Sequence, residues 1–305
     1  MAAVIVQRYR QRRQIRRNRI FRDRLNPVER FDDRELINKF RFPRLTILQI
    51  TDEVEGHLLP HGERGDVLPA LLQVCLTLRF LATGTFQDAV GEMIGVSQST
   101  GEYSNLDLER PRNNEADYIN RKNFHSLNVQ IVCNADLLIM DCVARHPGSA
   151  HDARVLRESA LFAGMERQPP LVNGLILGDS GYPIRDWLIT PFGQPANVQE
   201  ERLNLAHRET RVTVEWCIGV LKRRFYCLHM ELRVEPHVAS RIVYACCMLH
   251  NRATQLGLEA PEDDQAPPAG NIPLPNPGVP NVAGERARTA AGKAMRLHIA
   301  RTHFH

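Results

Sequence analysis

The sequence predicts an α/β domain with a mixed sheet flanked by helices, preceded by a mostly helical region. Two observations carry this expectation. Between about Asn120 and Arg252, strand-like apolar runs alternate with helical patterns, the order expected of an α/β domain. Between Pro27 and Thr100, apolar residues instead recur with mixed helical spacing. A hydrophobic content of 43% and a charged content of 24% in 305 residues suit a folded globular chain.

Residues 1–26 form a basic arm. Arg8, Arg10, Arg12, Arg13, Arg16, Arg17, Arg19, Arg22 and Arg24 stand there against Asp23 alone, although the whole chain carries only +4. Such a block suits phosphate backbones or a nuclear import receptor, with a solvated, partnerless arm as the plain alternative. Residues 27–100 form the helical region. Leu36, Ile37, Phe40, Leu45, Ile47, Leu48 and Ile50 share the helical spacing, and Leu68–Leu81 reads as a buried helix with Pro69 in its first turn. Phe86–Thr100, with Gly95 at a turn and Ser97 as an N-cap, fits the front half of a helix-turn-helix. Gly101–Asn105 is poor helix material, so the motif reads as truncated, or else as an ordinary helical hairpin.

Residues 101–257 carry the α/β pattern. Leu127–Asn134 and Leu137–Ala144 predict two strands joined through Asn134-Ala135-Asp136 as a hairpin. Ala150–Phe162 predicts a helix, Leu171–Leu177 a strand, and Leu203–Leu228 and Ala239–Ala253 two further helices. Residues 258–305 predict a Pro-rich linker and a basic tail. Gly284–Phe304 is expected either to stay disordered or to form a short basic helix.

Several classes are disfavoured. The residues after Met1 lack the apolar core of a secretory signal, and no apolar run approaches the ~20 residues that span a bilayer, so no membrane partner is expected. None of the seven cysteines forms a Cys-x-x-Cys pair, which argues against structural zinc and for reduced, buried thiols.

Three acids stand out. Asp179 directly follows an apolar run in Leu177-Gly178-Asp179-Ser180-Gly181-Tyr182-Pro183, a strand end of the kind where open α/β sheets bind ligands; Asp is also a common turn residue. Glu215 shares a helix face with Arg208, Arg211, Gly219 and Lys222, a face able to meet a polyanion or simply to be solvated. Asp152 begins a helix in Pro147-Gly148-Ser149-Ala150-His151-Asp152, where the helix dipole alone favours an acid. Clustered carboxylates hold Mg²⁺ or Mn²⁺ while leaving positions for water and phosphate oxygen.

Four segments together resemble the PIF/Harbinger DDE transposase family, including its domesticated nuclease branch. They are Asn120–Gln130, Pro147–Asp152, Gly178–Pro183, and Glu215 with Gly219-Val220-Leu221-Lys222. Leu249-His250-Asn251 adds to the likeness, which covers roughly Phe31 to Gly257. Thirty-five residues separate Asp179 from Glu215, similar to the family's D-x35-E spacing. The resemblance implies an RNase H-like fold, a divalent cation, cleavage of DNA phosphodiester bonds, nuclear (and also cytoplasmic) residence and a Myb/SANT-like partner. It implies Asp179 and Glu215 as catalytic, with Asp152, Asp179 and Glu215 as the metal ligands. Arg208, Arg211 and Lys222, with Arg12, Arg13, Arg16 and Arg17 of the arm, are candidates for DNA contact.

One departure shapes the expectation. The family's first catalytic Asp stands in an Ile-Asp-Gly-Thr-His-like strand, and no such segment occurs here; counting back from Pro111 puts only Glu102 near that place. The sequence therefore predicts a transposase-derived nuclease core without its first strand and with little or no activity. A non-catalytic DNA- or protein-binding module is the alternative. A serine hydrolase, suggested by Gly178-Asp179-Ser180-Gly181, is opposed by Tyr182 and by the absence of an Ala-Ala-His-Cys segment.

Overall fold

The computed structural model describes residues 26–58, 69–84, 115–119, 125–167, 174–230, 232, 234–261 and 283–304. The arm with Arg12, Arg13, Arg16 and Arg17, the helix-turn-helix segment 86–100, Glu102, and the linker 262–282 lie outside the described residues. The chain divides into two units: residues 1–80 with 85–105, and residues 81–84 with 106–305.

In the first unit, α1 (Pro27–Arg30), α2 (Asp33–Phe40) and α3 (Arg44–Leu58) precede α4 (Ala70–Thr83), whose last turn belongs to the second unit. A capping box starts α2: the Asp32 carboxylate accepts from Glu35 N, and the Glu35 carboxylate accepts from Asp32 N. The α2 helix ends at Arg41, which takes the left-handed conformation at φ 71°. Leu36, Phe40, Phe42, Ile47, Leu72, Cys75 and Leu78 are buried. The described part of this region is mostly helical.

The second unit opens with α5 (Glu115–Tyr118) and an antiparallel hairpin of β1 (Leu127–Cys133) and β2 (Ile139–Pro147). Its turn is set by Asn134, whose side-chain oxygen accepts from Asp136 N at 3.0 Å and Leu138 N at 2.9 Å. Leu137 takes φ 62°, a conformation that a leucine adopts only under constraint. Its carbonyl is held by the His250 ring at 2.9 Å and by Cys217 Sγ at 3.4 Å.

Next come α6 (Asp152–Arg157) and α7 (Ala160–Met165), then a parallel pair of β3 (Ile176–Leu177) and β4 (Leu188–Ile189). The single helix expected over Ala150–Phe162 is thus two, because Ser159 caps a second start by accepting from Phe162 N. The 27-residue α8 (Val198–Arg224) follows, then α9 (Pro236–Gln255) and α10 (Ala283–His303). The start of α8 precedes the expected Leu203, because Asn197 caps it and the Glu200 carboxylate accepts from Ala196 N.

The chain is α/β as expected, and the described strands do not by themselves join into a single mixed sheet. The described strands form two separate two-stranded sheets, β1–β2 antiparallel and β3–β4 parallel, and no described strand precedes β1 or joins them.

Of the two alternatives for the tail the structure has the helix: residues 283–303 are helical, and α10 packs on α8 and β4. Small residues allow this docking. A Cβ at Gly292 would stand 2.7 Å from the Arg185 carbonyl carbon, and Ala300 is buried. The Arg296 guanidinium lies 3.9 Å from the centre of the Phe192 ring and donates to the carbonyls of Thr190 and Pro191.

The hairpin is fastened to α9. Asn251 donates to Ile139 O and accepts from Ile139 N, both at 2.8 Å. Tyr244 OH accepts from Ala144 N at 3.3 Å. His250 is fully buried. Leu249-His250-Asn251 therefore acts as a clamp on the hairpin.

Candidate metal and nucleic-acid site

The three acids rest on three different elements. Asp152 opens α6, and its carboxylate accepts a hydrogen bond from Asn128 of β1 at 2.9 Å. The same Asn128 amide donates to Ala150 O at 2.8 Å, so one side chain sets both the loop and the acid. The preceding turn needs Gly148, since a Cβ there would lie 2.1 Å from Ser126 Oγ and 2.9 Å from its carbonyl oxygen.

Asp179 follows β3, and its carboxylate accepts from Gly181 N at 2.9 Å. Both acids close on that glycine. A Cβ built at Gly181 would stand 3.0 Å from Asp179 Oδ1 and 3.4 Å from Asp152 Oδ2. The sequence keeps a side-chain-free residue where the two carboxylates converge.

Glu215 stands on the exposed side of α8. Arg211 joins it to the pair, donating to Glu215 at 3.0 Å while lying 3.9 Å from Asp179 Oδ2. Asp179 and Glu215 are 38% and 43% exposed, so both ion pairs are solvent-screened. The i,i+4 pair within α8 contributes about 0.3 to 0.5 kcal/mol. Arg211 thus takes the position between Asp179 and Glu215 that a bound cation would contest.

Neighbouring groups feel this charge distribution. The Tyr182 hydroxyl is pushed well above its ordinary range by burial first, then by the negative charges of Asp152 and Asp179, with Arg211 opposing. His207 is buried one turn before Arg211, with Nε2 3.2 Å from Ile189 O. Burial lowers its pKa, and Arg211 adds to the effect. Both groups stay neutral near pH 7.

The structure therefore brings Asp152 and Asp179 together and reaches Glu215 only through Arg211. Among the described residues, no three His, Cys, Asp or Glu side chains are gathered to hold a metal as they stand. The donors that converge are all carboxylate oxygens, the chemistry that hard divalent cations take. They fit such an ion as a two-carboxylate platform, with Glu215 able to join once Arg211 moves. Arg208 is exposed, and Arg211 and Lys222 are half-buried on the same helix. Sequence reasoning missed Asn128, Tyr182 and His207. For His207 a signal existed: it lies four residues before Arg211 on one helix, hence on the same face.

One carboxylate after a strand and one at a helix start converge on Gly181, and a helix arginine ties them to a third acid. Residues 104–251 match the family model of the DDE superfamily endonucleases.

Within that class the chain is similar to Harbinger transposase-derived nucleases. It is 28% identical over 282 residues to the human protein named "Putative nuclease HARBI1", covering 74% of this chain and 79% of the relative. The Xenopus laevis protein of the same name is 27% identical over 278 residues, covering 74% and 80%. "Protein ALP1-like" of Arabidopsis thaliana is 31% identical over 145 residues, covering 43% of this chain and 35% of the relative. No solved structure matches significantly. Members of this family generally use divalent metal ions.

Proposed function

We propose that the second unit is a DNA-directed nuclease core, RNase H-like in plan, with its chemistry weakened by the lack of a first strand-borne carboxylate. The approach of Asp152 and Asp179 to Gly181, with Arg211 bridging Asp179 to Glu215, carries this reading. Asp152, Asp179 and Glu215 would hold Mg²⁺ or Mn²⁺. Such an ion lowers the pKa of water and stabilises charge on phosphate oxygens.

The rest falls to the protein. Asn128 fixes the direction of Asp152, and Gly181 N fixes that of Asp179. Arg208, Arg211 and Lys222 receive phosphates from the α8 side. When a phosphate draws the Arg211 guanidinium away, the Glu215 carboxylate is released toward the other two acids. Tyr182, held neutral beside them, can donate a hydrogen bond to a phosphate oxygen and does not act as a base at neutral pH. The arm with Arg12, Arg13, Arg16 and Arg17 supports nuclear residence and salt-dependent contact with DNA beside a Myb/SANT-like partner.

Calorimetric titration with Mn²⁺ tests the site. Asp179→Ala and Glu215→Ala should each lower affinity about ten-fold or more while leaving the circular dichroism spectrum unchanged. Unchanged affinity in both would remove the metal reading. Plasmid cleavage tests the activity: little or none is expected from the chain as it stands, and cleavage that Glu215→Ala abolishes would show that another acid completes the set.

A second reading is a non-catalytic DNA-binding module. Arg211 favours it, because a guanidinium seated between two acids already neutralises them. Metal titration separates the two readings.

A further inference from the structure

Next to Glu215 stands Trp216, whose side chain is 61% exposed. An indole left in water on a rigid helix gives up contact free energy that burial would supply, so its position calls for a function. The other tryptophan of the chain, Trp187, shows the ordinary fate: it is 7% exposed, packed edge-on to Phe162 and hydrogen-bonded to Glu166.

Trp216 belongs to a patch. At about 100° per residue, Val212 and Gly219 lie on α8 between the directions of Glu215 and Trp216. Val212 is 52% exposed, and a Cβ at Gly219 would meet nothing within 4 Å. The result is an open shelf running from a carboxylate to an indole, floored by a valine and a glycine. Basic residues border it: Arg208 and Arg211 toward one end of α8, Lys222 toward the other.

We propose that Trp216 is a stacking platform for an unpaired base of a DNA strand whose phosphates lie along Arg208, Arg211 and Lys222. The chemistry selects this occupant. Bases within a duplex are already stacked on their neighbours, so an aromatic side chain gains little from them; an unpaired or extruded base offers a free face. The basic border matches a polyanion. A protein partner fits less well, because a stable protein interface buries roughly 800 Å² on each side, and one indole with one valine falls far short. The substrate class that follows is DNA with single-stranded, gapped or distorted character beside the target bond.

This inference rests on the proposed function only in taking DNA as the polymer, and it requires neither cleavage nor bound metal. The test therefore uses the full chain in EDTA, with oligothymidylate of about 20 nucleotides and a duplex of the same length as probes. Oligothymidylate should quench the tryptophan emission of the native chain, and the quenching should vanish in Trp216→Phe, where only the buried Trp187 remains. By fluorescence anisotropy, Trp216→Ala should weaken single-strand binding about ten-fold or more and duplex binding less than about two-fold. Trp216→Phe should retain most of the single-strand affinity.

Equal losses on both probes, or none on the single strand, would overturn the proposal. So would a Trp216→Ala chain that binds DNA normally while losing self-association, which would assign the shelf to protein contact. If Asp179→Ala and Glu215→Ala leave Mn²⁺ affinity unchanged while Trp216→Ala still separates the probes, the metal reading fails and this one stands.

Discussion

The β1–β2 hairpin with α9 and the carboxylate end of the same unit are built on opposite plans. The hairpin is long, and α9 grips it through hydrogen bonds at Leu137, Ile139 and Ala144. The side chains of Tyr244, His250 and Asn251 are spent on hairpin backbone groups. The carboxylates hang instead from a two-residue strand, the first turn of a six-residue helix and the open face of α8. Their partners are single hydrogen bonds or screened ion pairs. Rigidity sits in one region and accessible charge in the other, joined by Asn128, which leaves the hairpin to reach Asp152. In this chain, resemblance of a motif to a family does not by itself separate these plans: His250 and Asn251 belong to the clamp, Asp179 and Glu215 to the site.

Breaking the clamp should have the largest effect. Asn251→Ala removes both hydrogen bonds to Ile139 and leaves a sheltered N–H and C=O unpaired. The expected loss is about 3 kcal/mol in urea unfolding, with Asp179→Ala below about 1 kcal/mol under the same conditions. Equal losses would erase the contrast between the two regions. Next in size is Gly292→Leu, which drives a side chain into the Arg185 backbone. It should cost about 2 kcal/mol and release α10, read as faster amide exchange over 283–303 with exchange in the hairpin unchanged.

The sequence disclosed these two regions unequally. The hairpin was readable because strand-length runs flank Asn134-Ala135-Asp136, and that asparagine does set the turn. The body of α8 was readable from its periodicity, while its first turn was not, because the Asn197–Glu200 cap was overlooked. Nothing in Trp187-Leu188-Ile189-Thr190 announces a two-residue strand, since alternation needs more residues to show. The docking of α10 depends on Gly292 and Ala300, which read alone as poor helix formers or neutral filler. Of the site, the individual acids were visible, but not that Asp152 and Asp179 meet at Gly181. That approach is made by chain segments 27 residues apart and was anticipated only through the family resemblance. Which strand edges pair is not legible in the sequence, because strand content says nothing about pairing.

Acid should loosen the clamp without any substitution. Burial lowers the pKa of His250, with the Arg224 charge adding to it and the hydrogen bond to Leu137 O opposing. That hydrogen bond requires Nε2 to carry the proton, leaving Nδ1 bare and buried. The unfolded chain binds the extra proton more readily than the folded one. Stability is therefore fully present above the unfolded value of about 6.5 and declines as pH falls from there through the lowered folded value. His146 shifts in the same direction, again chiefly by burial. Melting temperatures measured from pH 7.5 downward should fall below about pH 6.5. A flat profile across that range would mean that none of His146, His207 and His250 is held neutral by the fold.

The smallest change in stability, and the most informative, is expected from Arg211→Gln. The guanidinium bridges Asp179 and Glu215 at a partly exposed site, so its loss should cost no more than about 0.5 kcal/mol. Two binding properties should nevertheless move in opposite directions. Removing a positive charge some 4 Å from Asp179 makes the carboxylates more attractive to a divalent cation, and Mn²⁺ affinity should rise several-fold. Removing a phosphate contact should weaken DNA binding and reduce its dependence on salt by about one unit of log–log slope. Calorimetry for the ion and anisotropy at several salt concentrations for DNA would measure both. A fall in Mn²⁺ affinity would mean that Arg211 positions the acids and does not compete with the ion. Unchanged DNA affinity would remove Arg211 from the phosphate-binding face and leave Arg208 and Lys222 to define it.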